Sequence, residues 1–228
     1  MNILIIGGGY AGTLAALRLA GKTSSQTTHI TLINASDTFV ERIRLHQLAA
    51  GQPPKQRPFS SLLDGKHIDF VQGRVTAIDP ANHTVSVQTS GASQTLPYDK
   101  LVYALGSSVD TNAVPGIRDY ALTLGSVEAA LQMKAKLEAN PNARVIVCGG
   151  GLTGIELTSE LAETYPNLSI TLLTRDPLGL NLSKRGHVYI LDAFKRRNIT
   201  VREGVTISRI ERYGAVIENG ERCEGDVI

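Results

Sequence analysis

Two glycine-rich runs of one design are the residues of this chain best suited to chemistry. The first reads Asn2-Ile3-Leu4-Ile5-Ile6-Gly7-Gly8-Gly9-Tyr10-Ala11-Gly12, and the second reads Arg144-Val145-Ile146-Val147-Cys148-Gly149-Gly150-Gly151-Leu152-Thr153-Gly154. Each is a β-branched apolar stretch that leads into GxGxxG and then into apolar residues at helical spacing, the pattern of a buried parallel strand turning sharply into a helix. The first glycine of such a turn permits the bend, the second lets backbone approach a pyrophosphate, and the third lets helix and strand pack closely. The helix start offers free N–H groups and a partial positive charge to phosphate. For either run alone a ligand-free glycine turn is the competing reading; the repetition in matching context points to two dinucleotides.

The elements that position these runs follow from periodicity. Residues 13–20 form an apolar helix, residues 22–28 a Thr/Ser loop and residues 29–33 a second strand. An acid at the end of that strand would accept hydrogen bonds from both ribose hydroxyls. Asn34 stands there instead, able to accept one such bond without charge, with Asp37 a turn away. Residues 39–51 have helical spacing and stop at a glycine. Their Arg42, Arg44 and His46 are either an ordinary solvated face or, for Arg44, a contact to cofactor phosphates. Residues 53–58 are a proline-broken loop.

From residue 68 the pattern changes to short alternating strands over 69–71, 74–78, 84–88 and 101–103, an antiparallel meander followed by a return strand. The return strand ends in Ala104-Leu105-Gly106-Ser107-Ser108, small enough for backbone to approach a ligand. Val114-Pro115-Gly116-Ile117 punctuates the chain, and domains of 1–112 and 113–228 are expected. Helices over 127–138, 154–163 and 185–197 then alternate with strands over 169–173 and 199–202. Shorter strands follow over 207–211 and 215–218, and another begins at 223–228. Thr174 and Arg175 occupy the place where an acid would repel a 2′-phosphate. Arg175 either pairs with the 2′-phosphate of NADPH, with Lys184 and Arg185 nearby, or points to solvent beside Asp176.

Composition bounds the rest. With 228 residues, 42% of them hydrophobic and 19% charged, the chain can build one large or two small α/β domains. A net charge of +2, no Trp and 5% aromatic residues argue against nucleic acid, and Lys195-Arg196-Arg197 reads as a solvated helix face. No apolar run approaches the ~20 residues of a membrane span, and a strand begins almost at Met1, so no signal peptide and a cytoplasmic location are expected. Cys148 and Cys223 lack CxxC or metal spacing and are expected to be buried, inert thiols, with a disulfide between them left open. No metal site is expected.

The order of motifs resembles the two-dinucleotide-binding-domain flavoproteins of the pyridine nucleotide-disulfide oxidoreductase superfamily. Within it the chain is most similar to members without redox cysteines, the type II NADH dehydrogenases and apoptosis-inducing-factor-like NAD(P)H:quinone oxidoreductases. The resemblance covers all 228 residues. It is carried by residues 7–12, by the run Tyr98-Asp99-Lys100-Leu101-Val102-Tyr103-Ala104-Leu105-Gly106-Ser107, and by residues 149–154 with Glu156. It implies an α/β fold of two Rossmann-like three-layer domains, the first with an antiparallel β-meander insertion.

It also implies FAD on Gly7, Gly9, Tyr10, Ala11 and Gly12, with Asn34 at the ribose, the Val75 backbone at the adenine, and Ala104, Leu105 and Gly106 near the pyrophosphate. NAD(P)H would lie on Gly149, Gly151, Leu152, Thr153 and Gly154, with Glu156 at the nicotinamide carboxamide. The competing reading of Glu156 is a first-turn acid favoured by the helix dipole.

A redox CxxxxC is missing from residues 42–51, so dithiol chemistry is excluded. The implied reaction is hydride transfer from nicotinamide C4 to flavin N5, with electrons leaving to a quinone or another diffusible acceptor. The flavin carries that chemistry and no catalytic side chain is assigned. A non-catalytic nucleotide-binding or redox-sensing protein on the same scaffold is the alternative. The family continues into a segment that returns to the FAD domain with an Asp near the flavin, and then into an interface or membrane-contact domain. The chain is therefore expected to match the N-terminal part of such proteins, to bind FAD weakly, and to encode no membrane contact. Oligomeric state is left open.

Overall fold

A computed structural model describes residues 1–228. The chain runs through β1 (Asn2–Ile6), α1 (Tyr10–Ala20), β2 (His29–Asn34), a 3-10 turn (Arg42–Arg44), α2 (Leu45–Ala49) and α3 (Phe59–Leu62). It continues through β3 (Ile68–Gln72), β4 (Arg74–Asp79), β5 (Thr84–Gln88), β6 (Ser93–Pro97), β7 (Lys100–Tyr103), α4 (Ile117–Tyr120) and α5 (Val127–Ala139). The remainder is β8 (Arg144–Cys148), α6 (Leu152–Thr164), β9 (Ser169–Leu173), α7 (Lys184–Arg196), β10 (Thr200–Arg202), β11 (Ile207–Glu211), β12 (Gly214–Ile217) and β13 (Arg222–Glu224). Two compact units result, Met1–Glu41 with Lys55–Ser107, and Arg42–Pro54 with Ser108–Ile228.

In the first unit a parallel sheet is ordered β3-β2-β1-β7. β1 is apolar throughout its buried length because alternate residues serve opposite faces. Ile3 and Ile5 join Ala16 of α1 and Phe59, while Leu4 and Ile6 join Val85 and Val87 of β5. Helix, sheet and the antiparallel meander β4-β5-β6 thus make three layers.

Two elements of this unit escape the periodicity. β6 alternates polar residues at an edge and ends at Pro97, which weakens its strand signal. α3 is a single turn whose Phe59 is fully buried and stacks on Phe70 with centroids 4.8 Å apart.

The helix expected over 39–51 is shorter. Residues around Phe39 are extended, with the Phe39 N–H donating to the Arg57 carbonyl and Thr38 bridging Pro58. Helical backbone begins only at Arg42, and Gly51 ends the segment at φ +88°. This cationic segment groups with the second compact unit, not with the one that holds the first glycine-rich run. Val114-Pro115-Gly116 is likewise held inside the second unit. The Pro115 carbonyl accepts the Ile210 N–H at 2.8 Å, and Gly116, at φ +87°, sits where a Cβ would overlap the Ile210 carbonyl. The units part at Ser107 and Ser108.

The second unit contains the parallel sheet β10-β9-β8 and the antiparallel sheet β11-β12-β13. Ile146 and Leu173 of the parallel sheet share a core with Ile210 and Ala215 of the antiparallel one. An aspartate marks the start of each glycine-loop strand. Asp99 accepts the Asn2 N–H at 2.6 Å and donates its own N–H to Asn2; Asp226 accepts the Arg144 N–H at 2.9 Å and donates to Arg144. No helix is long and apolar enough to cross a membrane.

Candidate dinucleotide-binding loops

In the first loop, β1 ends at Ile6 and Gly7 turns the chain at φ +101°, its N–H donating to the Ile33 carbonyl at 2.9 Å. A Cβ on Gly7 would overlap the Ala104 carbonyl, and one on Gly12 would overlap the Gly7 carbonyl. Both glycines are therefore demanded by the protein itself. Gly9 differs: its φ is −76°, and a Cβ there would meet nothing within 4 Å. Gly9 is also the N-cap of α1 and makes no side-chain capping bond. The first turn of α1 thus opens beside free space with N–H groups that suit phosphate oxygens.

The second loop repeats this geometry. Gly149 has φ +116° and donates to the Leu173 carbonyl at 2.8 Å, and a Cβ on Gly154 would overlap the Gly149 carbonyl. Gly151, at φ −74°, again has open space where a Cβ would be and caps α6 without a side-chain bond. Neither backbone strain nor internal packing requires glycine at positions 9 and 151. Room for a pyrophosphate does require it, so the residues present fit a dinucleotide in each loop.

A cavity of about 1060 Å³ opens beside the second loop. Gly149, Gly151, Leu152, Thr153, Gly154 and Glu156 all line it, as do Arg42 and His46 of the segment that docks on α6. Gln52 donates to Glu160 at 2.8 Å, and His46 Nδ1 lies 3.5 Å from Glu156 Oε2. Glu156 is half exposed and His46 largely buried. α6 has no acid in its first turn; Glu156 lies one turn further in, which corrects the reading of it as a first-turn, dipole-stabilised acid. Cys148 also lines the cavity, so it is exposed rather than buried as expected. The surrounding protein mass pushes its thiol up to about 12, with neighbouring Cys223 adding to the effect. Cys223 is half-buried with Sγ 3.0 Å from Arg202 Nη1, and both cysteines are free.

The other sequence-derived residues are placed as follows. Asn34 Oδ1 accepts the Gly8 N–H at 2.8 Å and Nδ2 donates to the Ser36 carbonyl at 2.9 Å, so its amide braces the loop. Val75 pairs with Val87 beside a register shift in β4, whose entry is tied to β2 by the Gly73 N–H on the Asn34 carbonyl. Ala104 donates to Ile6, while Tyr10, Ala11, Leu105 and Gly106 are exposed. Arg44 is exposed in the second unit. Arg175 is exposed and pairs with Asp176 at 3.2 Å. Asp226 is held below the usual carboxylate range by hydrogen bonds from the Arg144 side chain and backbone. Sequence reasoning overlooked Thr13, Gly179, His187 and Glu203; aligning the two loops on each other would have exposed the first, since Thr13 has Ile155 as its counterpart.

The chain belongs to the pyridine nucleotide-disulphide oxidoreductase family, whose sequence profile matches residues 1–228. It is 32% identical over 182 residues to a type II NADH:quinone oxidoreductase of Staphylococcus haemolyticus, spanning 73% of this chain and 44% of that protein. It is 26% identical over 229 residues to an NADH dehydrogenase-like protein of Bacillus subtilis, spanning 100% of this chain and 63% of that one. A NAD-dependent persulfide reductase from A. fulgidus superposes with a TM-score of 0.85 at 25% identity, over 100% of this chain and 45% of that one. The chain thus spans between 44% and 63% of the length of the two curated relatives. Its fold is that of FAD/NAD-binding oxidoreductases, with a Rossmann-like sheet behind each glycine loop.

Proposed function

We propose that this chain serves in an FAD-dependent oxidoreductase that takes hydride from NAD(P)H and passes electrons to a quinone or another diffusible acceptor. The observation that carries the proposal is the pair of glycines, Gly9 and Gly151, each the side-chain-free N-cap of a helix with open space beside it that suits a pyrophosphate. The names of the Staphylococcus haemolyticus and Bacillus subtilis relatives support the nicotinamide substrate, and the former supports the quinone.

FAD is assigned to Gly7, Gly9, Tyr10, Ala11 and Gly12, with Ala104, Leu105 and Gly106 along its pyrophosphate and the Val75 backbone at its adenine. Asn34 meets the ribose with the acceptor capacity its Gly8 bond leaves free. NAD(P)H is assigned to Gly149, Gly151, Leu152, Thr153 and Gly154, with Glu156 accepting from the carboxamide and Arg175 beside the ribose phosphate. The domains proposed are 1–112 for FAD and 113–228 for NAD(P)H, less the segments 42–54 and 108–112 that group with the latter. Bound FAD supplies hydride acceptance and electron release, while these residues bind and orient.

An absorbance spectrum of the chain reconstituted with FAD tests this reading. Flavin bands that bleach on adding NAD(P)H are expected. A colourless protein that still binds a nucleotide would overturn it in favour of a non-catalytic nucleotide binder.

A further inference from the structure

Each glycine loop must fix the plane of its central peptide, and the two loops do so with different groups. In the first, the Gly8 carbonyl accepts from Thr13 Oγ1 at 3.1 Å. The counterpart of Thr13 is Ile155, which has nothing to donate. The Gly150 carbonyl instead accepts the N–H of Gly179 at 2.8 Å.

Gly179 follows Leu178, whose peptide is gripped on both sides. The Leu178 N–H donates to Glu203 Oε1 at 2.6 Å, and its carbonyl lies 2.9 Å from His187 Nδ1. His187 Nε2 is 3.8 Å from the same Glu203 oxygen. Leu178 is fully buried, so neither polar group has water as a substitute partner. Glu203 follows β10 and His187 lies on α7, both outside the glycine loop.

We infer that Glu203 and His187 are positioning residues for the second nucleotide loop. They hold Leu178, Gly179 holds the Gly150 carbonyl, and because the Gly150–Gly151 peptide is trans, the Gly151 N–H is turned away from Gly179. The inference rests on the assignment of NAD(P)H to the second loop, where that N–H serves the pyrophosphate. It adds that the donor geometry is set by two side chains that never touch the nucleotide.

Amide hydrogen exchange and NADH calorimetry on the whole chain test it. In Glu203→Ala the Gly179 amide, which bonds the Gly150 carbonyl, should exchange faster and NADH should bind about tenfold more weakly, the worth of one hydrogen bond to a charged acceptor. Glu203→Gln, whose amide oxygen still accepts from Leu178, should restore both. Ile155→Thr, which gives the second loop the donor of the first, should recover part of the affinity in the Glu203→Ala background. Should Glu203→Ala not fold, His187→Ala carries the same expectation for exchange and affinity.

Unchanged exchange and affinity in the alanine variants, or a loss that Glu203→Gln does not reverse, would overturn the inference. Gly151→Val separates this from the underlying assignment. If that variant still binds NADH, the assignment fails; if it does not bind while Glu203→Ala binds normally, only the positioning role fails.

Discussion

The two glycine loops share a positive φ and a strand-directed N–H at the first glycine and a close carbonyl at the third, but have quite different supports at the middle one. Gly8 is braced by neighbours in the local βαβ unit: its N–H by Asn34 at the end of β2 and its carbonyl by Thr13 in α1. Gly150 packs against the Thr174 side chain, with a Cβ there only 2.5 Å from Oγ1, and its carbonyl is held by Gly179. Thr174 Oγ1 donates onward to the Asp176 carbonyl. The first loop is therefore stiffened by two polar side chains close in the fold, and the second by a following segment that β10 and α7 clamp. One backbone solution has been kept by two sets of contacts, so equal motifs need not respond equally to mutation.

The largest effect should be the one on which the loops agree. Gly12→Ala and Gly154→Ala each drive a methyl into a loop carbonyl, and each should cost about 3 kcal/mol in denaturant unfolding, the upper end for overpacking. A loss under about 1 kcal/mol in either would show that its loop can relax, and would break the symmetry at its base.

Gly9→Val and Gly151→Val place a side chain in open space, so the fold should tolerate them while nucleotide binding falls by about a hundredfold, or ~2.7 kcal/mol. Flavin should be lost from the first variant and NADH affinity from the second, as read by absorbance and calorimetry. Retained binding would remove the corresponding loop from the site.

The middle glycines should separate the loops. Asn34→Ala leaves the Gly8 N–H without its acceptor and should cost about 1–2 kcal/mol, whereas Thr174→Ala removes a donor to Asp176 and a packing contact to Gly150 but no hydrogen bond to the Gly150 peptide, and should cost about half as much. Matching losses in thermal or denaturant melts would contradict the difference in bracing.

The smallest expected effect is at Arg175, exposed beside Asp176. Arg175→Glu should weaken NADPH relative to NADH by about 0.5 kcal/mol, a charge-assisted bond discounted for solvent. Equal effects on both cofactors in competition binding would leave Arg175 as a solvated side chain.

Much of this was legible from residue order. Both loops, their strands and helices, and the odd chemistry of Asn34 and Thr174 arise from local pattern, because a period of two or of about 3.6 residues and a glycine turn are properties of neighbours in sequence. The meander was legible only in part: residues 69–71, expected in it, belong to β3, which pairs parallel with β2, and the antiparallel sheet is β4-β5-β6. Helix 39–51 was overextended because its spacing continues through Phe39, while a bridge to the distant Pro58 holds that stretch extended. β6 and α3 carry too few apolar or periodic residues to announce themselves.

What sequence alone determined about this protein is the pair of strand–glycine-loop–helix units and the three-layer order of the first unit, since glycine sterics and strand alternation act over a few residues. Only the tertiary structure decided that residues 42–54 join the second unit, that Asn34 spends its amide on Gly8, and that Glu203 and His187 grip Leu178. Those outcomes depend on which buried N–H and C=O groups find partners across long stretches of chain, and that accounting has no signature in local periodicity.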